Sequence, residues 1–270
     1  MSCTIRYRGH VAIITIDNPS KLGALTQEIQ IQLGHHLREA ADRKDVYVTL
    51  LAGTGRFFSS GADIREQGHD VPADEDGRRH HVHHMADLLD LAQTFYTHPN
   101  ILVTALNGPV AGLASALVSH SDFIYAAPHT YLLAPFNSIG IVVEGAATKS
   151  MVGRMGPGLA KEALLMAKKI PVDRLLACGF VNGVFEADAS GKDAERFTDT
   201  VFTEICEGRL GTHLSSASLL RTKQVMSRFD EIAYDAHSVR EFVGGVEALQ
   251  RGYPQEQFRK MIRGEKRHKL

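Results

Sequence analysis

A single acid inside an apolar run is the most informative feature of this chain. Glu144 follows the run 139–143, in which every residue except Gly140 is a branched aliphatic. A carboxylate removed from water is unfavourable unless it is paired, protonated or used. The small residues at 145–147 leave space beside it for a ligand. We therefore expect Glu144 to be a catalytic base. An acid at the N-cap or first turn of a helix is an equal alternative from this segment alone.

Two glycine-containing turns could supply the electrophilic half of such a site. The first spans 55–64 and follows a candidate buried strand, and the second spans 106–115 at a predicted strand-to-helix junction. A glycine beside a free N–H lets a ligand oxygen approach without a Cβ collision, and a helix N-terminus presents unpaired amides. Two amides converging from separate turns form an oxyanion hole. Each turn taken singly is also typical of an ordinary tight connection.

The elements that must position these residues alternate between strands and helices. Strands are predicted at 4–8, 11–16, 46–52, 101–106, 122–126 and 181–185, and helices at 26–43 and 112–119. This alternation predicts an α/β domain with largely parallel pairing. Beyond about residue 158 helical periodicity dominates, with helices predicted at 219–242 and 255–263. The polar segment 67–84 is predicted to be an exposed loop that leads into a helix.

Composition excludes several classes of function. The chain has 270 residues, 44% of them hydrophobic, with 30 basic and 31 acidic residues and a net charge of −1. This fits one large domain with or without a helical appendage. No overall field recruits nucleic acid or an anionic membrane, and no run approaches the length of a membrane span. Three scattered cysteines argue against a disulfide framework.

A metal site is not expected at the histidine-rich segment. Four histidines lie within 80–84, but no cysteine or acid at a fixed helical offset completes a coordination sphere.

The last residues, His268, Lys269 and Leu270, approximate the Ser-Lys-Leu peroxisomal targeting signal. We expect a peroxisomal import receptor to bind them and to deliver the protein to the matrix. A solvated basic tail that happens to end in Leu is the alternative.

Three motifs follow one another along the chain: Phe-Phe-Ser-Ser-Gly-Ala-Asp at 57–63, Asn-Gly-Pro-Val-Ala-Gly-Leu at 107–113 and Ile-Gly-Ile at 139–141. In this order and at these separations they resemble the enoyl-CoA hydratase/isomerase (crotonase) superfamily. The resemblance runs from the opening hairpin to the neighbourhood of Phe185. It implies an α/β, crotonase-like fold: a spiral ββα core with the acyl-CoA site over 1–190, and a helical trimerisation region over 191–270. It also implies a homotrimer or a dimer of trimers.

The resemblance assigns roles to individual residues. The N–H groups of Ala62 and Leu113 would hold the thioester oxygen of an acyl-CoA, which needs no further cofactor because the substrate carries coenzyme A. The substrate-binding residues expected on this basis are Ala24, Leu25, Ser60, Asp63, Ile64, Gly112, Phe136 and Asn137. Asn137 is a candidate for orienting Glu144 or the thioester. A side chain that satisfies turn backbone groups is the alternative.

Departures from the hydratase pattern favour an isomerase. Hydratases of this family carry two Glu residues where this chain has Ala116 and Phe136. Glu144 is instead similar to the single catalytic Glu of fungal peroxisomal Δ3,Δ2-enoyl-CoA isomerases. The expected reaction of β-oxidation of unsaturated fatty acids removes the C2 proton of a 3-enoyl-CoA and returns it at C4. Burial among apolar residues is expected to raise the pKa of Glu144 toward neutrality.

Other interpretations stay open. A Δ3,5,Δ2,4-dienoyl-CoA isomerase would need two separated acids, of which only Glu144 is evident. A non-catalytic acyl-CoA-binding subunit, or an enzyme acting on an unusual acyl-CoA, would keep the same shell. Some local cations must meet the CoA phosphates, and the candidates are Arg221, Lys223, Arg259 and Lys260.

Overall fold

A sheet of six strands lies at the centre of the molecule, in a computed structural model that describes residues 2–63, 74–227 and 230–265. The strands are β1 (Ser2–Arg8), β2 (Val11–Asp17), β3 (Val48–Gly53), β4 (Ile101–Leu106), β5 (Val110–Ala111), β6 (Phe123–Ala126), β7 (Tyr131–Leu133), β8 (Ile170–Pro171) and β9 (Gly183–Val184). The large sheet has the order β1-β2-β3-β4-β6-β9, and a small one the order β5-β7-β8.

The pairing of the large sheet explains where the glycine turns meet. β1 and β2 form the predicted antiparallel hairpin, and β2, β3, β4, β6 and β9 then pair in parallel. Every residue of β3 and β4 is buried, as expected for parallel strands covered on both faces. The carboxyl ends of β3 and β4 lie side by side, so the turns that follow them are brought to one edge of the sheet.

Helices cover the sheet and form most of the second half of the chain. They are α1 (Gln27–Asp42), α2 (Glu75–Tyr96), α3 (Gly112–Val118), α4 (Ala147–Met166), α5 (Val172–Ala177), α6 (Ala194–Val201), α7 (Ser216–Ser227), α8 (Asp230–Gln250) and α9 (Tyr253–Ile262). The predicted N-cap is confirmed, since Thr26 Oγ1 accepts a hydrogen bond from Ile29 N at 3.2 Å. A non-helical backbone at Gly156 kinks α4 just before Pro157.

The structure corrects one predicted element, the loop at 67–84. Residues 75–84 belong to α2, which begins after Asp74, whose side chain accepts a hydrogen bond from Gly77 N at 3.0 Å; residues 67–73 lie outside the described residues. The polar sequence hid this helix because its buried stripe starts with Gly77 and His81 and only then reaches Met85 and Leu88. The helix predicted at 219–242 falls on α7 and α8, and residues 228–229 between them lie outside the described residues.

The C-terminal helices pack back onto the core. α8 contacts α2 and α4, and α9 contacts α8 and the short turn Phe136–Ile139. Val225, Met226, Ile232 and Val239 on α7 and α8 remain more than half exposed. The predicted trimerisation through this region, and the division of the chain at residue 190, stay predictions. No helix within the described ranges is both long and apolar enough to cross a membrane.

Candidate active site

A cavity of about 500 Å³ lies between the two glycine turns and the segment that carries Glu144; we call it the front cavity. Its wall is mostly apolar, with Leu22, Phe57, Tyr131 and Leu133 among its residues. Eight of the predicted site residues also line it: Ala24, Ser60, Ala62, Asp63, Gly112, Leu113, Phe136 and Glu144. Most of the site residues predicted from the sequence and the family resemblance therefore lie on this wall.

Two unpaired amides face each other across the glycine turns. Leu25 N donates to Gly61 O at 2.8 Å and Asp63 N donates to Leu25 O at 3.0 Å, in a parallel bridge that leaves the N–H of Ala62 on the other side. Leu113 is the second residue of α3, where an amide has no partner inside the helix. In the described part of the chain neither amide has an acceptor. We call Gly61–Ala62 and Gly112–Leu113 the oxyanion turns.

Glycine is required for the two oxyanion turns to approach this closely. Gly61 has a φ of +91°, and a Cβ built on it would lie 2.9 Å from Ala111 O and 3.2 Å from Leu113 N. Gly112 has a φ of +51°, and its Cβ would point at Gly61 Cα, 3.6 Å away. A side chain on Gly61 would thus enter the space in front of the Leu113 amide. The backbones themselves build this half of the site.

Glu144 lies on the cavity wall, outside any helix. It precedes by two residues the N-cap of α4, Ala146, so the alternative of an N-cap or first-turn acid is wrong. The side chain is buried, and nothing in the described ranges hydrogen-bonds its carboxyl group. Burial, followed by the nearby charge of Glu241, raises the pKa of Glu144 to about 8. The expected rise of this pKa toward neutrality therefore agrees with the structure.

The segment Glu144–Ala146, which we call the base turn, is held by side chains from elsewhere in the chain. Ala146, the N-cap residue of α4, has a left-handed backbone with φ of +57°, and its side chain provides no capping hydrogen bond to the helix. Glu241 of α8 accepts hydrogen bonds from Ala146 N at 2.6 Å, Thr148 N at 2.9 Å and Thr148 Oγ1 at 2.5 Å. Glu241 thus caps α4 from another helix and fixes the base turn.

A half-buried histidine, His120, supports the base turn from the turn that follows α3. His120 Nε2 donates to Gly145 O at 2.7 Å, since a carbonyl oxygen can only accept. Burial lowers the pKa of His120 to about 4, so the ring is neutral at physiological pH. Sequence reasoning missed both His120 and Glu241. The one available signal was that Glu241 falls on the buried stripe of α8, with Ser238 and Gly245.

The positions of the two hydratase acids are filled by apolar packing. Ala116 is completely buried, and a Cβ added to Gly145 would lie 3.0 Å from Ala116 Cβ. The base turn thus covers the place where one hydratase Glu would stand. Phe136, at the other position, is 1% exposed and forms part of the cavity wall. A second carboxylate has no room at the first of these sites.

Two predicted substrate residues, Leu25 and Asn137, do not line the front cavity. Leu25 is buried in the core and contributes its backbone to the oxyanion turn. The role proposed for Asn137 is wrong, because its side-chain amide donates to Leu164 O at 2.8 Å at the end of α4 and does not reach Glu144. The alternative, a side chain that satisfies backbone groups, is the one observed. Ile64 lies outside the described residues.

The cations near the cavity differ from those predicted. Lys223 donates to Asp122 Oδ2 and to Asn100 O, both at 2.6 Å, and is therefore already engaged. Three other cations border the front cavity. Lys21 pairs with the buried Asp63 at 2.7 Å, Lys169 stands 4.1 Å from the ring centre of Tyr131, and Arg56 stands 5.9 Å from that of Phe57.

One metal-type cluster occurs in the described ranges, and it is remote from the cavity. His35, His36 and Glu39 of α1 bring ligand atoms within 4.8 Å of one another. Both nitrogens of His36 already bond protein oxygens, Glu39 Oε2 at 3.3 Å and Cys3 O at 3.1 Å. The expected absence of a metal or cofactor stays a prediction. His268, Lys269 and Leu270 lie outside the described residues, so the peroxisomal address stays a prediction too.

Comparison with known sequences decides the family. Residues 6–203 match the enoyl-CoA hydratase/isomerase family. The chain belongs to this family. A relative from Pyricularia oryzae, named Delta(3,5)-Delta(2,4)-dienoyl-CoA isomerase, is 45% identical over 99% of this chain and 98% of its own length. The 3,2-trans-enoyl-CoA isomerase of Saccharomyces cerevisiae is 31% identical over 98% of this chain and 95% of its own.

These comparisons confirm the family and the fold. Both relatives are named isomerases, which agrees with the expectation that this chain is an intramolecular isomerase. The crystal structure of an enoyl-CoA hydratase/isomerase from Pseudoalteromonas atlantica superposes with a TM-score of 0.80 at 20% identity, covering 100% of both chains. At that identity it confirms the crotonase-like fold alone. The names of the two relatives specify different double-bond positions, so the names alone do not decide the type of isomerase.

Proposed function

We propose that this protein is a Δ3,Δ2-enoyl-CoA isomerase that converts 3-enoyl-CoA to trans-2-enoyl-CoA. The observation that carries the proposal is a buried carboxyl group, Glu144, that shares one cavity with the two unpaired amides of Ala62 and Leu113. Asp63, the other acid that lines this cavity among the described residues, is ion-paired with Lys21. One base facing one oxyanion hole suits a proton shift between two neighbouring carbons.

The first step is proton abstraction. The thioester oxygen accepts hydrogen bonds from the Ala62 and Leu113 amides, which stabilise the negative charge that develops there. The Glu144 carboxylate takes a proton from C2, and the C–H electron pair forms a C1–C2 double bond. The thioester oxygen becomes an enolate that is conjugated with the C3–C4 double bond. The amides act in the transition state, because the charge they meet does not exist in the substrate.

The second step returns the same proton. The protonated Glu144 gives it to C4, the C3–C4 electron pair takes it up, and the enolate electrons form the C2–C3 double bond. C2 and C4 are about 2.5 Å apart, two carbon–carbon bonds, so one carboxyl group can serve both. A raised pKa helps here, because the carboxylic acid must persist between the steps. We expect kcat/KM to rise with pH through about 8 as free Glu144 ionises.

A second candidate is a dienoyl-CoA isomerase, favoured by the name of the 45% identical relative. That reaction moves a proton from C2 to C6, about twice as far as to C4. A relay would need a second acid on the front cavity. Asp63 lies on the wall but is held by Lys21, whereas Glu241 is absent from the described part of that wall. The geometry therefore supports the shorter shift better.

The test compares both substrates with matched variants. Purified protein is assayed with 3-hexenoyl-CoA and 3,5-octadienoyl-CoA, and hydration of 2-hexenoyl-CoA is followed in parallel. We expect fast conversion of 3-hexenoyl-CoA, negligible hydration, loss of activity in Glu144→Gln and its retention in Asp63→Asn. Faster conversion of the dienoyl substrate, lost in Asp63→Asn, would replace the proposal by the second candidate. Tight acyl-CoA binding without turnover would indicate a binding subunit.

We further propose that Arg56 and Lys169 bind the CoA phosphates, since they lie beside Phe57 and Tyr131 of the front-cavity wall, whereas Lys21 is engaged by Asp63. Lys169→Glu is expected to raise KM for acyl-CoA with little change in kcat, because phosphates lie far from the reacting carbons. Peroxisomal import and trimer formation belong to the same proposal. They are tested by locating a fluorescent fusion with and without Leu270 and by measuring the mass in solution.

A further inference from the structure

A second and much smaller cavity also touches Glu144. It has a volume of about 10 Å³, which is room for about one water molecule. Its apolar wall includes Met85 and Leu88 of α2 and Phe242 of α8, and its polar wall consists of Glu144, Ser238 and Glu241. We call it the rear cavity. Glu144 is therefore the residue that separates the front cavity from this pocket.

Two of the three polar side chains of the rear cavity, Glu144 and Ser238, are left with hydrogen-bonding capacity by the protein. Ser238 Oγ is buried and meets no hydrogen-bond partner with good geometry within the described ranges. The Tyr96 phenol donates to Asp235 at 2.7 Å, and its oxygen lies beside Ser238. The Glu144 carboxyl group likewise has no described partner. A water in this pocket would meet a hydroxyl and two carboxyl groups, the three partners that buried waters usually have.

No described cation lines the rear cavity. From α2 it is faced by Met85, Leu88 and other apolar side chains, and from α8 by Ser238, Glu241 and Phe242. His120, which bonds the base turn from just after α3, is neutral. His237 lies one step further away, with Nδ1 at 2.8 Å from Thr148 Oγ1. The two carboxyl groups thus face the same small pocket, and no described cation lines it.

We infer that Glu241 is a positioning residue for the base: it fixes the base turn and, with Ser238, holds one water against the Glu144 carboxyl group. The inference rests on the proposed function, in which Glu144 is the base. Three hydrogen bonds to Ala146 and Thr148 supply the first part. The unsatisfied hydroxyl, the two carboxyl groups and the one-water volume supply the second.

In this arrangement Glu241 affects the ionisation of Glu144, which a helix cap remote from the base would not do. A negative charge on Glu241 opposes ionisation of Glu144, and a shared water lets either group hold the proton. Replacing Glu241 by neutral Gln keeps the size of the side chain and one acceptor oxygen. It removes the charge, so the proton on Glu144 should be released at lower pH.

The decisive experiment compares Glu241→Gln with Glu247→Gln, which removes the same charge from an exposed position of the same helix. The infrared carbonyl stretch of a protonated carboxyl group is titrated with pH, and Glu144→Gln identifies the band that belongs to Glu144. The pH dependence of kcat/KM is measured in parallel. We expect both midpoints to fall by about one pH unit or more in Glu241→Gln, and to stay unchanged in Glu247→Gln.

The outcomes separate this inference from the proposed function. The infrared titration needs no substrate, so a shifted band in a protein without isomerase activity would uphold the role of Glu241 and overturn the activity. An unshifted band, with only a lower Tm in Glu241→Gln, would reduce Glu241 to a structural cap and overturn the inference. A high-resolution crystal structure tests the water directly: a dry rear cavity in the wild type would overturn that part.

Discussion

The two halves of the site are built by different means. The oxyanion turns consist of backbone from two loops at one edge of the sheet, brought together by Gly61 and Gly112. The base turn carries the acid, and it is held by side chains from elsewhere in the chain, Glu241 of α8 and His120 of the turn after α3. The first half depends on which residues lack a Cβ. The second half depends on the side chain at position 241 of α8, nearly a hundred residues after the base turn.

The oxyanion turns are a part of the site that many reactions can share, whereas the base turn carries the group that selects one reaction. Backbone amides stabilise negative charge on a thioester oxygen whatever happens at the carbons. The carboxyl group decides which carbon loses and which gains a proton. The match to the family ends at residue 203, so the support of the base by α8 lies beyond it.

Removing the base should have the largest effect. Glu144→Gln keeps the shape of the side chain but cannot accept a proton, and general bases contribute about 10²- to 10⁴-fold to rate. We expect kcat to fall by about 10³-fold or more, with acyl-CoA affinity kept, because the oxyanion turns are untouched. Steady-state kinetics and calorimetric binding check this. A variant with near wild-type kcat would show that Glu144 is not the base.

Closing the oxyanion hole should have the next largest effect. In Gly61→Ala the new Cβ would lie 3.2 Å from Leu113 N, so the loss should be about 10²- to 10³-fold in kcat/KM, as for removal of one donor. Gly179→Ala is the matched control, with a similar φ of +80° and nothing within 4 Å of its Cβ. Equal losses of activity in the two variants would mean that backbone strain, not blocking of the amide, is responsible.

The buried base should make stability depend on pH in a way that the backbone half cannot. In the folded state Glu144 keeps its proton to about pH 8, against an ordinary value of 4.5. The unfolded chain binds fewer protons between those values, so this group lowers stability as pH rises, by up to about 1.4 kcal/mol per pH unit. We expect Glu144→Gln to gain stability over wild type from pH 5 to pH 8.

Urea unfolding of both proteins across that range checks the sign. His98 and His120, whose pKa values burial lowers to about 3 and about 4, act in the opposite direction at acidic pH. Their contribution is common to both proteins and cancels in the difference. A difference in unfolding free energy that stays constant with pH would contradict the raised pKa.

Relaxing the base turn should have the smallest effect. Ala146 has a φ of +57°, which is disfavoured for an L-residue by about 1–2 kcal/mol, and Glu241 holds it there. Ala146→Gly should change stability by no more than about 1 kcal/mol in the wild type. In a Glu241→Gln background it should restore part of any lost kcat. A double-mutant cycle measures this coupling, and strict additivity would show that the cap does not hold the turn.

The sequence indicated the two glycine turns of the backbone half of the site, and the family resemblance named Ala62 and Leu113 within them. Glycines at strand ends, the Thr26 cap and the alternation of strands with helices are local signals, and the structure brings Ala62 and Leu113 to one cavity. Glu144 was also visible, because an acid in an apolar run is locally anomalous. These features depend on a few neighbouring residues or on the parallel pairing of consecutive strands.

The remainder depended on contacts between distant parts of the chain. Glu241 bonds Ala146 across 95 positions, and no local pattern shows which helix face will meet the base turn. Asn137 had the right type and place for orienting Glu144, but the end of α4 offered unpaired carbonyls closer to it. Lys223 was a plausible phosphate ligand until the fold placed Asp122 beside it. In each case a tertiary neighbour decided the role.

The distance in sequence between Ala146 and its cap also sets an order of events during synthesis. The first five strands of the large sheet, the oxyanion turns and the described wall of the front cavity all precede residue 145 in the chain. The acceptor for the Ala146 amide leaves the ribosome only after α8 begins. A chain clipped before α8 would keep the residues of both oxyanion turns and Glu144 but would lack the side chain that caps α4 and holds the base turn. Under the proposed function, proton transfer is then the part of the activity most exposed to loss of the C-terminal helices.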